Sequence, residues 1–327
     1  MKRKYSLIIF LLLSTCLLSI TTGQSSLNID SIYKILQGHG TAKETLILYQ
    51  FRLPRMILAF LVGAALALAG MLLQTISRNP LADSGILGIN AGAGLTMMLF
   101  LLLQGQTISV HTYVQPFYAL LGGLIVVFLI FLLSYHKHYG IIPLRLLYTG
   151  IAISSAISAL MIILTYVLEP QQYQMIKVWL AGSLNNSNWH HVFALLPWIV
   201  IIVPILYRRH LLLDTLQLSD ETAIGIGASI FKIRLFFLVC TVLLVSPAVA
   251  VSGSIGFVGL IVPHLVRQLF GVRHKFIILA NILVGGGLVI LADGIGKMIV
   301  NNTEIPAGVI VAIIGAPYFI YLLITNK

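Results

Sequence analysis

The sequence predicts an all-α polytopic membrane protein with ten transmembrane helices, and three observations lead to that fold class. Hydrophobic residues make up 59% of the 327 residues and charged residues only 9%, against about 25% charged residues in an ordinary soluble domain. The apolar residues form ten runs whose lengths suit membrane spans, at ~1.5 Å of rise per helical residue. The charged residues lie almost wholly in the short gaps between these runs.

The distribution of basic residues predicts the orientation of the chain. The predicted spans are 5–21, 56–76, 85–103, 114–135, 144–168, 192–207, 231–251, 255–270, 276–298 and 305–325. With the N-terminus inside, fourteen of the 20 Lys and Arg residues fall on the inner side. Because cytoplasmic loops carry an excess of Lys and Arg, both termini are predicted to be cytoplasmic. The net charge of +11 therefore indicates membrane orientation and no nucleic-acid partner.

The first span is open to a second interpretation, because 1–22 could be a cleaved signal peptide or a lipoprotein signal around Cys16. An Ala-x-Ala cleavage site is missing, and Thr15 is a poor residue before a lipidated cysteine. We therefore expect a retained first helix. Cys16 and Cys240 both fall inside apolar spans, so no disulfide framework is indicated.

The second span has an unusual residue pattern at each end. Arg52-Leu53-Pro54-Arg55 stands before it, and the break at 77–82 contains Asn-Pro. This pattern suggests a membrane helix with a docking surface on each side. A transport channel that is operated by partners outside and inside the membrane needs such surfaces. Inside the span, Ala59, Gly63 and Ala67 repeat every fourth residue. Small residues let helices approach closely, so the row fits tight packing within a bundle or the lining of a pathway.

The inner gap at 208–229 is predicted to contain a short helix. Ser219 precedes Asp220 and Glu221 in the manner of an N-cap followed by an acidic first turn, and Gly225 or Gly227 would end the helix. The helix could be a solvated connector. It is also the only inner loop long enough to fill a groove on a cytosolic protein, which makes it the candidate for an energy-coupling contact.

Histidines in two regions are candidates for function. His264 and Arg267 lie in the short span 255–270, where ionisable groups are costly, although Arg267 could simply reach the inner headgroups. No second ligand stands at metal spacing from His264, so no metal site is expected. His190 and His191, beside Trp189, fit interface residues better than heme ligands.

Enzymatic function is not predicted. The stretch 294–298 resembles a phosphate-binding loop, but Leu291 replaces its first glycine and Met298 stands where Ser or Thr is required. No carboxylates are paired for acid–base chemistry. Energy would then come from an ion gradient or a partner. An ion-coupled secondary transporter would need a carboxylate within the membrane, for which Asp293 is the candidate. A purely structural membrane subunit is a further alternative.

A series of motifs runs along most of the chain: Arg52-Leu53-Pro54-Arg55, Arg78-Asn79-Pro80-Leu81-Ala82, Gly85-Ile86-Leu87-Gly88, Trp179-Leu180-Ala181-Gly182, Leu218-Ser219-Asp220-Glu221, Gly253-Ser254-Ile255-Gly256-Phe257-Val258-Gly259, Val262-Pro263-His264 and Glu304-Ile305-Pro306-Ala307-Gly308. These motifs resemble those of the FecCD family of ABC importer permeases, whose members import iron-siderophore complexes, heme and vitamin B12. The resemblance implies a BtuC-like bundle, the type II ABC importer architecture, in the bacterial plasma membrane. It also implies a second permease subunit, two cytoplasmic ATPase subunits that use ATP, and an extracytoplasmic substrate-binding protein. We expect one domain over 1–327 with the coupling loop at 208–229, and no cofactor.

The resemblance also implies roles for individual residues. Arg52, Arg55 and Lys297 would dock the binding protein, and reversing the charge of the two arginines should weaken docking without unfolding the subunit. Coupling to the ATPase would involve Leu216, Leu218, Asp220, Glu221, Ala223, Gly225 and Gly227. Candidate pathway or gate residues are Pro143, Leu144, Thr149 and His264. We expect a ferric siderophore as substrate, with heme or cobalamin as alternatives. Residues 142–144 are more apolar than the hydroxyl-bearing residues of the vitamin B12 branch of the family, which makes cobalamin the weaker alternative.

Overall fold

A computed structural model describes residues 2–22, 29–104, 112–136, 140–141, 143–185, 187–299 and 304–325. These ranges are mainly helical, and each predicted span overlaps a helix. In chain order the helices are α1 (Lys2–Thr21), α2 (Ile29–Leu36), α3 (Ala42–Leu46), α4 (Leu53–Ser77), α5 (Ile89–Gln104), α6 (Gln115–Ser134), α7 (Pro143–Thr165), α8 (Pro170–Leu180), α9 (Trp189–Arg208), α10 (His210–Thr215), α11 (Asp220–Gly225), α12 (Ile230–Ser252), α13 (Val258–Phe270), α14 (His274–Ile299) and α15 (Ala307–Thr325). A π-helical stretch, Ile47–Arg52, joins α3 to α4.

Not every helix is long enough to cross a bilayer without support. Among the described residues, seven helical segments are long and apolar enough to span a membrane, while α5, α13 and α15 have shorter apolar stretches. Two short strands, β1 (Tyr135–His136) and β2 (Gly140–Ile141), form an antiparallel pair between α6 and α7. The all-α architecture is confirmed. The number of helices that cross the membrane and the side on which the termini lie stay predictions.

Two helices begin later than the hydropathy predicted, because the chain first makes a turn. Ahead of α5, the Asp83 carboxylate accepts a hydrogen bond from the Gly85 backbone N–H at 3.1 Å, within a turn that precedes Ile89. Ahead of α13, Gly253 and Phe257 both have positive φ angles, 69° and 65°. A Cβ on Gly253 would lie 1.7 Å from the Trp179 carbonyl oxygen, so only glycine fits there. Hydropathy alone does not distinguish such buried turns from helix.

Helix α4 lies at the centre of the core and packs along α14, α12 and α13. A Cβ on Gly63 would lie 2.1 Å from the carbonyl oxygen of Gly285 in α14. A Cβ on Gly70 would lie 1.9 Å from the carbonyl oxygen of Gly259 in α13. The small residues of α4 therefore allow backbone to approach backbone, which confirms the packing interpretation of that row.

Candidate functional site

One end of α4 carries a partly buried group of four charged residues, here called the Arg55 cluster: Arg55, Asp293, Lys297 and Glu304. The Arg55 guanidinium donates to Asp293 Oδ1 at 2.7 Å and to Glu304 Oε2 at 2.7 Å. The Lys297 ammonium group lies 2.6 Å from Asp293 Oδ2, one helical turn away on α14. The cluster therefore joins α4 to α14 and to the chain just before α15, and its two cations balance its two carboxylates.

The predicted docking residues are less exposed than expected. The side chains of Arg55 and Lys297 have exposed fractions of 11% and 7%, and Arg52 is also buried. Reversing the charge of Arg55 would place a third carboxylate beside Asp293 and Glu304. Because breaking a buried ion pair is strongly destabilising, the expectation that this change leaves the subunit folded does not follow from the geometry. The docking role of the three residues stays a prediction.

The opposite end of α4 carries a second group, here called the Arg78 cluster: Arg78, Asp220 and Arg234. Arg78 ends α4 in a left-handed conformation with φ at 50°. Its guanidinium donates to the Leu216 carbonyl at 2.9 Å, to the Leu218 carbonyl, and to Asp220 Oδ1 at 2.7 Å. Arg234 in α12 donates to the same carboxylate oxygen at 2.9 Å. The cluster thus fixes the chain between α10 and α11.

A second set of bonds joins the same region to the beginning of α14. The Asp214 carboxylate accepts from the backbone N–H of His274 at 3.0 Å and lies 2.7 Å from His274 Nδ1. The other ring nitrogen of His274 lies 3.0 Å from the hydroxyl of Thr75 in α4. Gln217 donates to the Val272 carbonyl at 2.8 Å. Residues 210–227, here called the 210–227 segment, are therefore bonded to both α4 and α14.

The predicted short helix in this segment is confirmed as α11. The hydroxyl of Ser219 accepts a hydrogen bond from the Thr222 backbone N–H at 3.2 Å, which caps the helix. The chain then turns at Gly227, whose φ is 83°. Both predicted features of the helix, the serine cap and the glycine that ends it, occur as expected.

The predicted coupling residues do not all reach the surface. Leu216 and Ala223 are buried with exposed fractions of 1% and 0%, so their side chains pack inward, and the coupling role of the predicted residues stays a prediction. Leu218, Glu221, Gly225 and Gly227 are exposed, and Asp220 is half-buried. Ile224 and Ile226, which were not predicted as contact residues, have exposed fractions of 63% and 66%. The signal for these exposed side chains was the position of each isoleucine directly before a glycine, Gly225 or Gly227.

The candidate pathway residues lie on two different helices. On α7, Leu144 is 57% exposed, and Thr149 accepts a hydrogen bond from the hydroxyl of Ser134 at 3.2 Å. On α13, His264 Nε2 lies 3.0 Å from Gln268 Nε2. Pro143 begins α7, and its side chain lies outside the described residues, as does all of Ile142. The pathway role of these residues stays a prediction.

A cavity of about 670 Å³ lies between the end of α7 and α8, in a region that the sequence analysis did not single out. Its lining includes two tyrosines, Tyr166 and Tyr173, together with Lys177 and Thr165. Its volume is within the range of small-molecule binding pockets. The cavity mixes aromatic surface with a basic group, and it lies in the region that the basic-residue bias predicts to be outside.

Comparisons with known proteins extend the resemblance over the whole chain. The FecCD transport family model matches residues 11–325. The chain is 41% identical to the iron-uptake system permease protein FeuC of Bacillus subtilis, covering 100% of this chain and 98% of that protein. It is 36% identical to the hemin transport system permease protein HmuU of Yersinia pestis, covering 84% and 82%. A solved inward-facing conformation of a metal-chelate type ABC transporter matches with a TM-score of 0.86 and 30% identity, over 99% of both chains.

Proposed function

Because the chain belongs to the FecCD transport family, we propose that it is a permease subunit of an ATP-driven importer that carries a ferric siderophore complex. The observation that carries this proposal is the full-length similarity to iron permeases. FeuC is one such relative, and the iron(3+)-hydroxamate import system permease protein FhuG of Bacillus subtilis is another, 39% identical over 99% of both chains. The chain is an integral plasma-membrane protein with the fold of type II ABC importer permeases.

Heme is the second candidate substrate, because the hemin permease HmuU is also a relative over most of the chain. An ion-coupled mechanism finds less support. Asp293, the carboxylate that such a mechanism would use, is bonded to both Arg55 and Lys297. A carboxylate neutralised by two cations is poorly suited to bind and release a transported ion.

We propose that the partners bind at the two ends of α4. A substrate-binding protein would dock beside the Arg55 cluster, where Glu304 is the most exposed of the four side chains at 24%. Acidic residues of the binding protein would then compete with Glu304 and Asp293 for Arg55 and Lys297. Docking would thus exchange one set of ion pairs for another. Such exchange depends on ionic strength.

At the other end, an ATPase subunit would receive the 210–227 segment. Ile224 and Ile226 supply exposed aliphatic surface, and Glu221 adds an exposed carboxylate next to it. A short helix with apolar anchors fits an apolar groove with a basic rim. ATP would be bound and hydrolysed by that partner, and a second permease subunit would complete the translocation pathway.

Reconstituted uptake tests the proposal. The permease is placed in lipid vesicles with its co-purifying ATPase and binding protein, and the entry of radioactive iron is followed with ferric hydroxamate, ferric catecholate or hemin as substrate. We expect uptake of a ferric siderophore that requires both ATP and the binding protein. Uptake driven by a proton or sodium gradient without ATP would contradict the mechanism, and uptake of hemin alone would contradict the substrate.

A further inference from the structure

Arg78 bonds the 210–227 segment at three acceptors, and it shares only one of them, the Asp220 carboxylate, with Arg234. One guanidinium group bonds two carbonyl oxygens, those of Leu216 and Leu218, and one carboxylate, that of Asp220. Leu216 and Leu218 lie in the turn between α10 and α11, and Asp220 is the first residue of α11. A planar guanidinium can satisfy several acceptors at fixed angles, which a lysine ammonium group cannot do. Arg78 therefore sets the direction in which α11 leaves α10.

Arg78 directly follows the last residue of α4, and most residues of that helix are buried. Helix α4 has 25 residues, and at ~1.5 Å per residue it extends about 37 Å from the Arg55 cluster to the Arg78 cluster. Helix α14 runs beside it, with His274 bonded to the 210–227 segment at one end and Asp293 bonded to Arg55 at the other. Both helices therefore connect the Arg55 cluster to the 210–227 segment, α4 through Arg78 and α14 through His274.

The contact between these helices resists sliding. Gly63 and Gly285 bring the two backbones together, and Phe60 packs on Gly286 one turn away. Closely packed cores respond to a displacement by moving as a unit, because their side chains have few alternative arrangements. A displacement of the 210–227 segment is thus transmitted through the packed pair of helices to the Arg55 cluster, provided that the segment is held to α4.

From these contacts we propose that Arg78 is a positioning residue that holds the 210–227 segment to the α4–α14 pair, so that movement of the segment is transmitted to the opposite face. The proposal rests on the proposed ATP-driven transport, because that function supplies the movement. It assigns a role to the arginine of the Arg-Asn-Pro motif. It also predicts that loss of Arg78 uncouples ATP hydrolysis from uptake and leaves the helices themselves folded.

The first test measures uptake per ATP hydrolysed in vesicles that contain the complete complex. Arg78→Ala is expected to lower that ratio about tenfold, within the usual range of coupling between two sites. Arg78→Lys keeps the charge and should give an intermediate ratio. Lys232→Ala is the matched control, because Lys232 is an exposed cation on α12 two residues from Arg234, and it should leave the ratio unchanged. An unchanged ratio in Arg78→Ala overturns the proposal.

The second test needs no transport, so it separates this proposal from the proposed function. A spin label is attached at Ile224→Cys in the permease with Cys16 and Cys240 replaced by alanine. Arg78→Ala should increase the mobility of the label, with Lys232→Ala again as control. Equal label mobility in the parent permease, Arg78→Ala and Lys232→Ala overturns the proposed role of Arg78, even if uptake is driven by ATP. If Arg78→Ala does not fold, Arg78→Gln gives the same comparison, because it keeps a donor without the charge.

Discussion

Replacing Gly63 by alanine tests whether α4 and α14 form one rigid pair. The added Cβ would lie 2.1 Å from the Gly285 carbonyl oxygen, about 1.3 Å inside an ordinary contact of 3.4 Å. The clash is with backbone atoms, which cannot rotate away, so the helices must separate. Overpacking of this kind costs about 1–3 kcal/mol, and the better helix propensity of alanine offsets about 1 kcal/mol. We expect a net destabilisation of up to about 2 kcal/mol.

Gly294→Ala is the matched control for this experiment. Gly294 lies on α14, and a Cβ there would meet nothing within 4 Å, so only the gain in helix propensity remains. Both variants are unfolded by heat in detergent at one scan rate, because unfolding of large proteins is often irreversible. At about 1.5 °C per kcal/mol for a chain of 327 residues, Gly63→Ala should lower the midpoint by up to about 3 °C, while Gly294→Ala should leave it equal or higher. Equal shifts in both variants would refute the close backbone contact.

Three further changes give independent predictions. Asp293→Asn leaves Arg55 and Lys297 without their shared carboxylate, so stability should fall by about 3–5 kcal/mol. An unchanged midpoint of thermal unfolding would show that the carboxylate does not stabilise the two cations. Ser219→Ala removes the α11 cap at a cost of about 1 kcal/mol, and hydrogen exchange at 220–225 should rise, whereas unchanged exchange would argue against the cap. Hydrogen bonds from Ser31 and Thr41 lower the pKa of the Glu44 carboxyl to about 2. The lowered pKa means that its stabilising contribution is present above about pH 4.3 and is lost as the pH falls through about 2. Exchange at 42–46, corrected for intrinsic rates, should therefore be faster in Glu44→Gln than in the native chain at pH 5, and the difference should vanish toward pH 2; a difference independent of pH would contradict the pKa.

The helices could be predicted from the sequence because the bilayer itself sets their length and composition. A run of apolar residues of the right length has one stable conformation in lipid, since every backbone polar group must be bonded within the segment. The short helix α11 was predictable for a different reason. Its start and end depend on local residues, Ser219 and Gly227, whose effects extend over only a few positions.

The charged clusters could not be predicted in the same way, because their members are distant in sequence. Arg55 was expected to face outward, and its partner Asp293 is 238 residues away. Arg78 bonds the Leu216 carbonyl, 138 residues away. Sequence spacing shows which residues share a helix, but it does not show which helix ends meet. The burial of Arg55 and the contacts of Arg78 therefore required the packed arrangement.

The claim that the two ends of α4 face opposite sides of the membrane can be measured directly. Single cysteines are placed at Ile224 and Tyr33, which are 63% and 62% exposed, in a chain without Cys16 and Cys240. A membrane-impermeant maleimide is then added to right-side-out and to inverted membrane vesicles. Our account predicts that position 224 is labelled only in inverted vesicles and position 33 only in right-side-out vesicles. Labelling of both positions from the same side would contradict it.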